Sequence, residues 1–92
     1  MAVTVKLPTQ LRDAAGGAAS TQVDGATVGQ ALEALYEEHG ELRERLSGDD
    51  GALRRFVNVY IGGEDIRFLD GLDTPIEDGA ELTILPAVAG GA

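Results

Sequence analysis

Gly90-Gly91, just before Ala92, is the feature of this sequence with the most chemical promise. No element follows for the pair to connect, so a turn does not account for two adjacent glycines. A glycine tail can enter a narrow cleft in another protein, because the missing Cβ lets backbone and ligand approach closely. A frayed terminus is the plain alternative, and composition by itself does not choose between the two.

The other candidates read more simply. His39 is the only histidine, and no cysteine is present to join it as a metal ligand. A general base also needs an oriented partner, so His39 reads as a side chain in a last helical turn, favourable there when protonated. The acidic pairs Glu37-Glu38 and Asp49-Asp50 lack the spacing of a calcium loop, and adjacent acids on a helix point apart. They read as a solvated face. Gly16-Gly17 and Gly62-Gly63 stand outside any GxGxxG or GxxxxGK[ST] context and read as turns. No catalytic residue, metal site or bound cofactor is therefore expected. The absence of cysteine also excludes disulfides, thiolate nucleophiles and iron–sulfur clusters.

The elements that must position such a tail follow from periodicity. Val3-Thr4-Val5-Lys6-Leu7 alternates as a half-buried strand does, and Pro8 ends it. A Gly- and Ala-rich loop leads to a polar strand over Ser20 to Asp24. Thr27-Val28-Gly29-Gln30 matches a capping box. From there Val28, Ala31, Leu32, Leu35, Tyr36 and His39 fall at helical spacing, with Gly40 expected as a left-handed C-terminal cap. Glu41 to Leu46 adds a short helix that carries Leu42 and Leu46. Phe56 to Ile61 reads as a strand, Ile66 and Phe68 as a short edge segment, and Asp70 to Asp78 as turn-rich. Glu81 to Leu85 is the last strand, and Pro86 breaks it. The expected core is Val3, Val5, Leu7, Val28, Leu32, Leu35, Val57, Val59, Ile61, Leu82 and Ile84.

A helix with one apolar face must cover one face of a sheet, which gives an α+β two-layer domain. The first and last strands are the most apolar and belong at the centre. The pattern fits a single-domain β-grasp, or ubiquitin-like, roll: a mixed sheet covered by one main helix. A ferredoxin-like fold would need a second full helix before the last strand. The division is a domain over residues 1–86 and a flexible C-terminal tail over residues 87–92.

The chain has 92 residues, 43% hydrophobic and 25% charged, which suits one small globular domain without a deep cavity. Seven basic residues against sixteen acidic ones give a net charge of −9. Nucleic acid and anionic membranes are thereby excluded as partners, and proteins with basic surfaces are favoured. No apolar run approaches a membrane span and no signal segment opens the chain, so a cytoplasmic protein is expected.

The stretch Asp78-Gly79-Ala80-Glu81-Leu82-Thr83-Ile84-Leu85-Pro86-Ala87-Val88-Ala89-Gly90-Gly91 resembles the closing pattern of the MoaD and ThiS family of ubiquitin-like sulfur carriers. That pattern is an Asp-Gly turn, an apolar strand, then Pro, Val and Gly-Gly. Arg55-Phe56-Val57-Asn58-Val59-Tyr60, Glu64-Asp65-Ile66-Arg67-Phe68 and the opening Val3 to Thr9 are similar to the branch of that family that serves cysteine synthesis. The resemblance spans nearly the whole chain.

It implies a protein that is a substrate and carrier, not an enzyme. An adenylating enzyme of the MoeB and ThiF type would use ATP and magnesium to activate the Gly91 carboxylate. A sulfur donor, rhodanese or desulfurase, would then convert it to a thiocarboxylate. Ala87, Val88, Ala89 and Gly90 would thread into the partner. A cysteine synthase with pyridoxal phosphate, or another sulfur-accepting enzyme, would take the sulfur, and a metalloprotease would release the product. The alternatives are a ubiquitin-like modifier joined to lysines through the same tail, the small subunit of a molybdopterin synthase, and an interaction module with an inert tail. The chain departs from the family pattern by ending in Ala92. Removal of Ala92 before activation is expected. An enzyme that tolerates Ala92, or an Ala92 foreign to the natural chain, would also fit this ending.

Strand alternation places Thr83 and Leu85 on the outer face of the sheet with Phe56, Asn58 and Tyr60. Phe56, Tyr60 and Leu85 are the expected docking face for the adenylating enzyme, unless the loop from Asp70 to Asp78 covers them.

Overall fold

Val3 and Val5 alternate with Thr4 and Lys6 along β1 (Ala2–Lys6), so one side of the strand is apolar and buried and the other looks outward. The same alternation shapes β3 (Val57–Ile61) and β5 (Glu81–Pro86), which bury Val57, Val59, Leu82 and Ile84. The computed structural model that places these elements describes residues 2–48, 53–54 and 57–86. With β2 (Ser20–Asp24) and β4 (Glu64–Asp65) the strands form one five-stranded sheet in the order β2-β1-β5-β3-β4. β1 and β5 run parallel at its middle and the other pairs are antiparallel. This is the mixed sheet of a β-grasp roll, with the first and last strands adjacent as their apolar content requires.

Two helices cover the inner face. In α1 (Val28–Glu38) the Thr27 hydroxyl accepts a hydrogen bond from the Gln30 amide at 3.2 Å. The Gln30 side chain reaches back past Thr27 to accept from the Ala26 amide at 2.9 Å. The capping box is thus present, its return bond displaced by one residue. Gly25 makes the tight approach to this turn, since a Cβ there would lie 2.6 Å from the Ala31 backbone nitrogen. α1 buries Val28, Ala31, Leu32, Leu35 and Tyr36; α2 (Gly40–Leu46) adds Leu42 and Leu46.

Several details differ from the sequence expectation. Gly40 is not a left-handed cap. His39 leaves α1 with φ −133°, its amide donates to Leu35 and its carbonyl accepts from Leu42, so Gly40 opens α2 without a positive φ. His39 accordingly sits at a joint between helices and not inside the last turn of one. The loop after Pro8 contains a 3-10 helix, Thr9–Ala15, which buries Leu11, Ala14 and Ala15. Ile66–Phe68 is likewise a 3-10 turn and not a strand. Ile61 is only partly buried at the end of β3, while Ile66 and Ile76 complete the core from the loops. Gly16-Gly17 and Gly62-Gly63 all carry positive φ, as turns of this kind require. No helix among the described residues is long and apolar enough to cross a membrane.

Candidate functional site

The tail follows β5, a strand paired on both of its edges. It pairs with β1 through Thr4–Glu81, Val5–Leu82 and Lys6–Thr83, and with β3 from Ile61–Leu82 to Val57–Pro86. Leu82 and Ile84 are fully buried beneath the helices. A strand bonded on both sides and anchored from below fixes the position of Pro86, the last described residue. Residues 87–92, which include the expected reactive Gly91, the threading residues Ala87, Val88, Ala89 and Gly90, and the terminal Ala92, lie outside the described residues.

The outer face of the sheet carries no helix. Across it the register aligns Ser20, Lys6, Thr83, Tyr60 and Asp65 in one row, with Leu85 opposite Asn58 at the Pro86 end of β5. Leu85 is 44% exposed and Tyr60 is half-buried. The loop from Asp70 to Asp78 does not cover them. It packs instead at the start of α1, where Thr74 accepts from the Val28 amide and the Ile76 amide donates to Ala26, at 3.0 and 2.9 Å. The two described members of the expected docking face, Tyr60 and Leu85, therefore share the open side of the sheet as neighbours on adjacent strands. Phe56 lies outside the described residues.

The positions of two residues beside β3 escaped the sequence reading. The Arg67 guanidinium donates to the Val57 carbonyl at 3.1 Å and to the Asn58 side chain, and pairs with Asp65 at 3.7 Å. It clamps the outer end of β3. Phe68 is 86% exposed beside it. In a strand Ile66 and Phe68 would share one face, whereas in a 3-10 turn of three residues they point apart. The signal that could have found this is Asp65, whose carboxylate caps the turn by accepting from the Arg67 amide at 2.9 Å.

Glu37 and Glu38 are exposed on α1, and His39 is half-buried at the helix joint. No group of three or more metal-binding side chains occurs among the described residues. Asp49-Asp50 lies outside them.

Against this geometry, comparison with known proteins is consistent along the whole chain. The family model described as the ThiS family matches residues 5–91. The sequence is 47% identical over 93 residues to the sulfur carrier protein CysO of Mycobacterium tuberculosis strain H37Rv, spanning 99% of this chain and 100% of that protein. The fold is similar to a chain of the crystallised BexX/CysO complex of Amycolatopsis orientalis, with TM-score 0.89 and 46% identity over 97% of this chain and 99% of that one. It is also similar to small archaeal modifier protein 1 of Haloferax volcanii, with TM-score 0.83 and 37% identity over 95% and 98% of the two chains.

Proposed function

The chain belongs to the ThiS family and is a non-catalytic sulfur carrier, and on that footing we propose that Gly91, after loss of Ala92, is the residue that carries the sulfur. The observation that supports this most is the extent of the family match, which runs through Gly91 and stops there. A carboxylate is a poor electrophile, so the chemistry needs an activating partner. The Gly91 carboxylate attacks the α-phosphorus of ATP, held with magnesium by an adenylating enzyme of the MoeB and ThiF type, and pyrophosphate leaves. The persulfide of a rhodanese or desulfurase then attacks the carbonyl carbon and AMP departs; a thiol reduces the acyl disulfide so formed, and the sulfur stays on Gly91. The product is a thiocarboxylate, a soft nucleophile that holds sulfide without releasing it.

Ala87 to Gly90 pass through the partner's channel, which small side chains and glycines leave room to do. Tyr60 and Leu85, with Phe56, dock the open sheet face against the same enzyme. The acceptor we favour is a cysteine synthase with pyridoxal phosphate, followed by a metalloprotease that frees the new amino acid. A second reading, a modifier joined to lysines of other proteins, draws on the similarity to small archaeal modifier protein 1.

Intact-mass analysis of the protein from its own cells separates the two. The carrier reading expects a species ending at Gly91 with one oxygen replaced by sulfur. A ladder of isopeptide conjugates with no thiocarboxylate would replace that reading with the modifier.

A further inference from the structure

Away from the sheet, α1 carries a stripe that the core does not use. Gln30, Glu33, Ala34 and Glu37 stand at i, i+3, i+4 and i+7, so they share one face of the helix. Ala34 is partly buried among these longer side chains, and its small size leaves a trough along that face. Gly29 sets the opposite wall. A Cβ there would lie 3.1 Å from the Leu72 carbonyl oxygen, so the bare glycine lets the 3-10 turn Gly71–Asp73 press closely against α1.

The resulting groove measures about 470 Å³, and Leu53 and Leu72, both partly buried, give it apolar sides. Its charged lining is Asp24, Glu33 and Glu37, with no cation among the described residues. Arg43 reaches Glu33 at 3.1 Å, while Asp24 and Glu37 stay exposed to solvent. The turn Ile66–Phe68, packed on Gly71–Asp73, extends the apolar surface with the exposed Phe68 and Leu69. Apolar sides edged by carboxylates match a segment that carries apolar side chains together with cations. A second copy of this chain is a poor occupant, because seven basic residues against sixteen acidic ones make two copies repel.

We propose that this groove is a docking site for a basic amphipathic segment of another protein. The segment lays its apolar side chains along Leu53 and Leu72 and sets its cations against Asp24, Glu33 and Glu37. The groove lies along α1, which covers the inner face of the sheet, whereas Tyr60 and Leu85 lie on the open face, which carries no helix. The two surfaces therefore serve two partners at once, so that the chain is held through α1 while its open face engages the adenylating enzyme. This simultaneous use rests on the docking set out under the proposed function. The groove itself does not depend on it.

The test titrates the isotope-labelled full chain with a synthetic helical peptide of leucine, alanine and arginine, its leucines on one side, and follows the backbone amide signals. One control peptide has glutamate for arginine, and another has the same residues without a leucine stripe. The expected result is saturable binding of the first peptide alone, with shifts confined to Asp24, Gly29 to Glu37, Leu53 and Leu72. Ala34→Arg, which fills the trough and adds a like charge, weakens binding by about tenfold or more. Asp24→Asn with Glu37→Gln keeps the shape and weakens binding by about threefold, the scale of two exposed ion pairs, with a flatter salt dependence. Shifts spread over all acidic surfaces or centred on the open face, equal binding of the unstriped peptide, no saturation, or a folded Ala34→Arg protein of unchanged affinity overturns the site. With adenylating enzyme, ATP and magnesium, saturating peptide leaves pyrophosphate release unchanged. A loss of release that follows peptide occupancy overturns the simultaneous use and leaves the groove standing. Absence of release without peptide overturns the adenylation reading instead.

Discussion

Burial pushes the Tyr36 phenol up from 10.0 to about 12, Glu33 adds to the rise, and Arg43, 5.1 Å above the ring, opposes it. The folded state therefore holds its proton more tightly than the unfolded chain does. The resulting stability is complete below pH 10.0 and is lost as the pH climbs toward about 12. Urea titrations at increasing alkaline pH should show a steeper loss for the parent than for Tyr36→Phe. The difference should reach on the order of 3 kcal/mol, the equivalent of two pKa units. On the opposite side of the molecule, Leu85 is exposed and makes no demand on the core. Leu85→Asp should leave the urea midpoint within about 0.5 kcal/mol of the parent. The same change should slow adenylation by about tenfold or more if this face docks the enzyme, because a charge buried without a partner is costly. Unchanged turnover would remove the face from the account.

At the scale of elements, β5 links stability to function, since the same strand completes the core and presents the tail. Leu82 is fully buried between sheet and helices. Leu82→Ala should cost about 2–4 kcal/mol in chemical denaturation, the transfer and cavity terms together. A loss below half of the low end would mean that Leu82 does not face the core. The strands, the main helix and their order were legible because period-2 and helical patterns are strong there and the cap residues lie where backbone amides need them. The 3-10 helix Thr9–Ala15 was not, although its buried Leu11, Ala14 and Ala15 stand at i, i+3 and i+4, because the run is short, lies between Pro8 and Gly16-Gly17, and shows only small alanines after Leu11. Gly40 misled for a related reason. A glycine after an amphipathic run usually ends a helix in the left-handed region, but here Leu42 and Leu46 draw the chain straight into a second helix. The open face was half legible: alternation placed Tyr60 and Leu85 there, while the positions of Arg67 and Phe68 depend on a turn that a strand pattern hides.

For the whole molecule, the family was legible from the stretch Asp78 to Gly91, which the family match spans. What it does depends on a second protein, whose channel leaves no trace in this sequence. The net charge of −9 favours a partner with a basic surface. On the proposed reading the domain is a handle: a held strand, an open face for docking, and a terminus delivered to chemistry that happens elsewhere. The central claim is that this terminus is Gly91. The most direct measurement compares three proteins, the chain as it stands, the chain ending at Gly91, and that shorter chain with Gly90→Val. Each is given adenylating enzyme, ATP and a sulfur source, and its intact mass is followed in time. The form ending at Gly91 should exchange one oxygen for sulfur, and Ala92 should gain none. With Gly90→Val the exchange should be about 10²-fold slower, because a Cβ misplaces the carboxylate. Equal sulfur gain on Ala92 would contradict the assignment of Gly91, and no gain by any form would contradict the carrier chemistry itself.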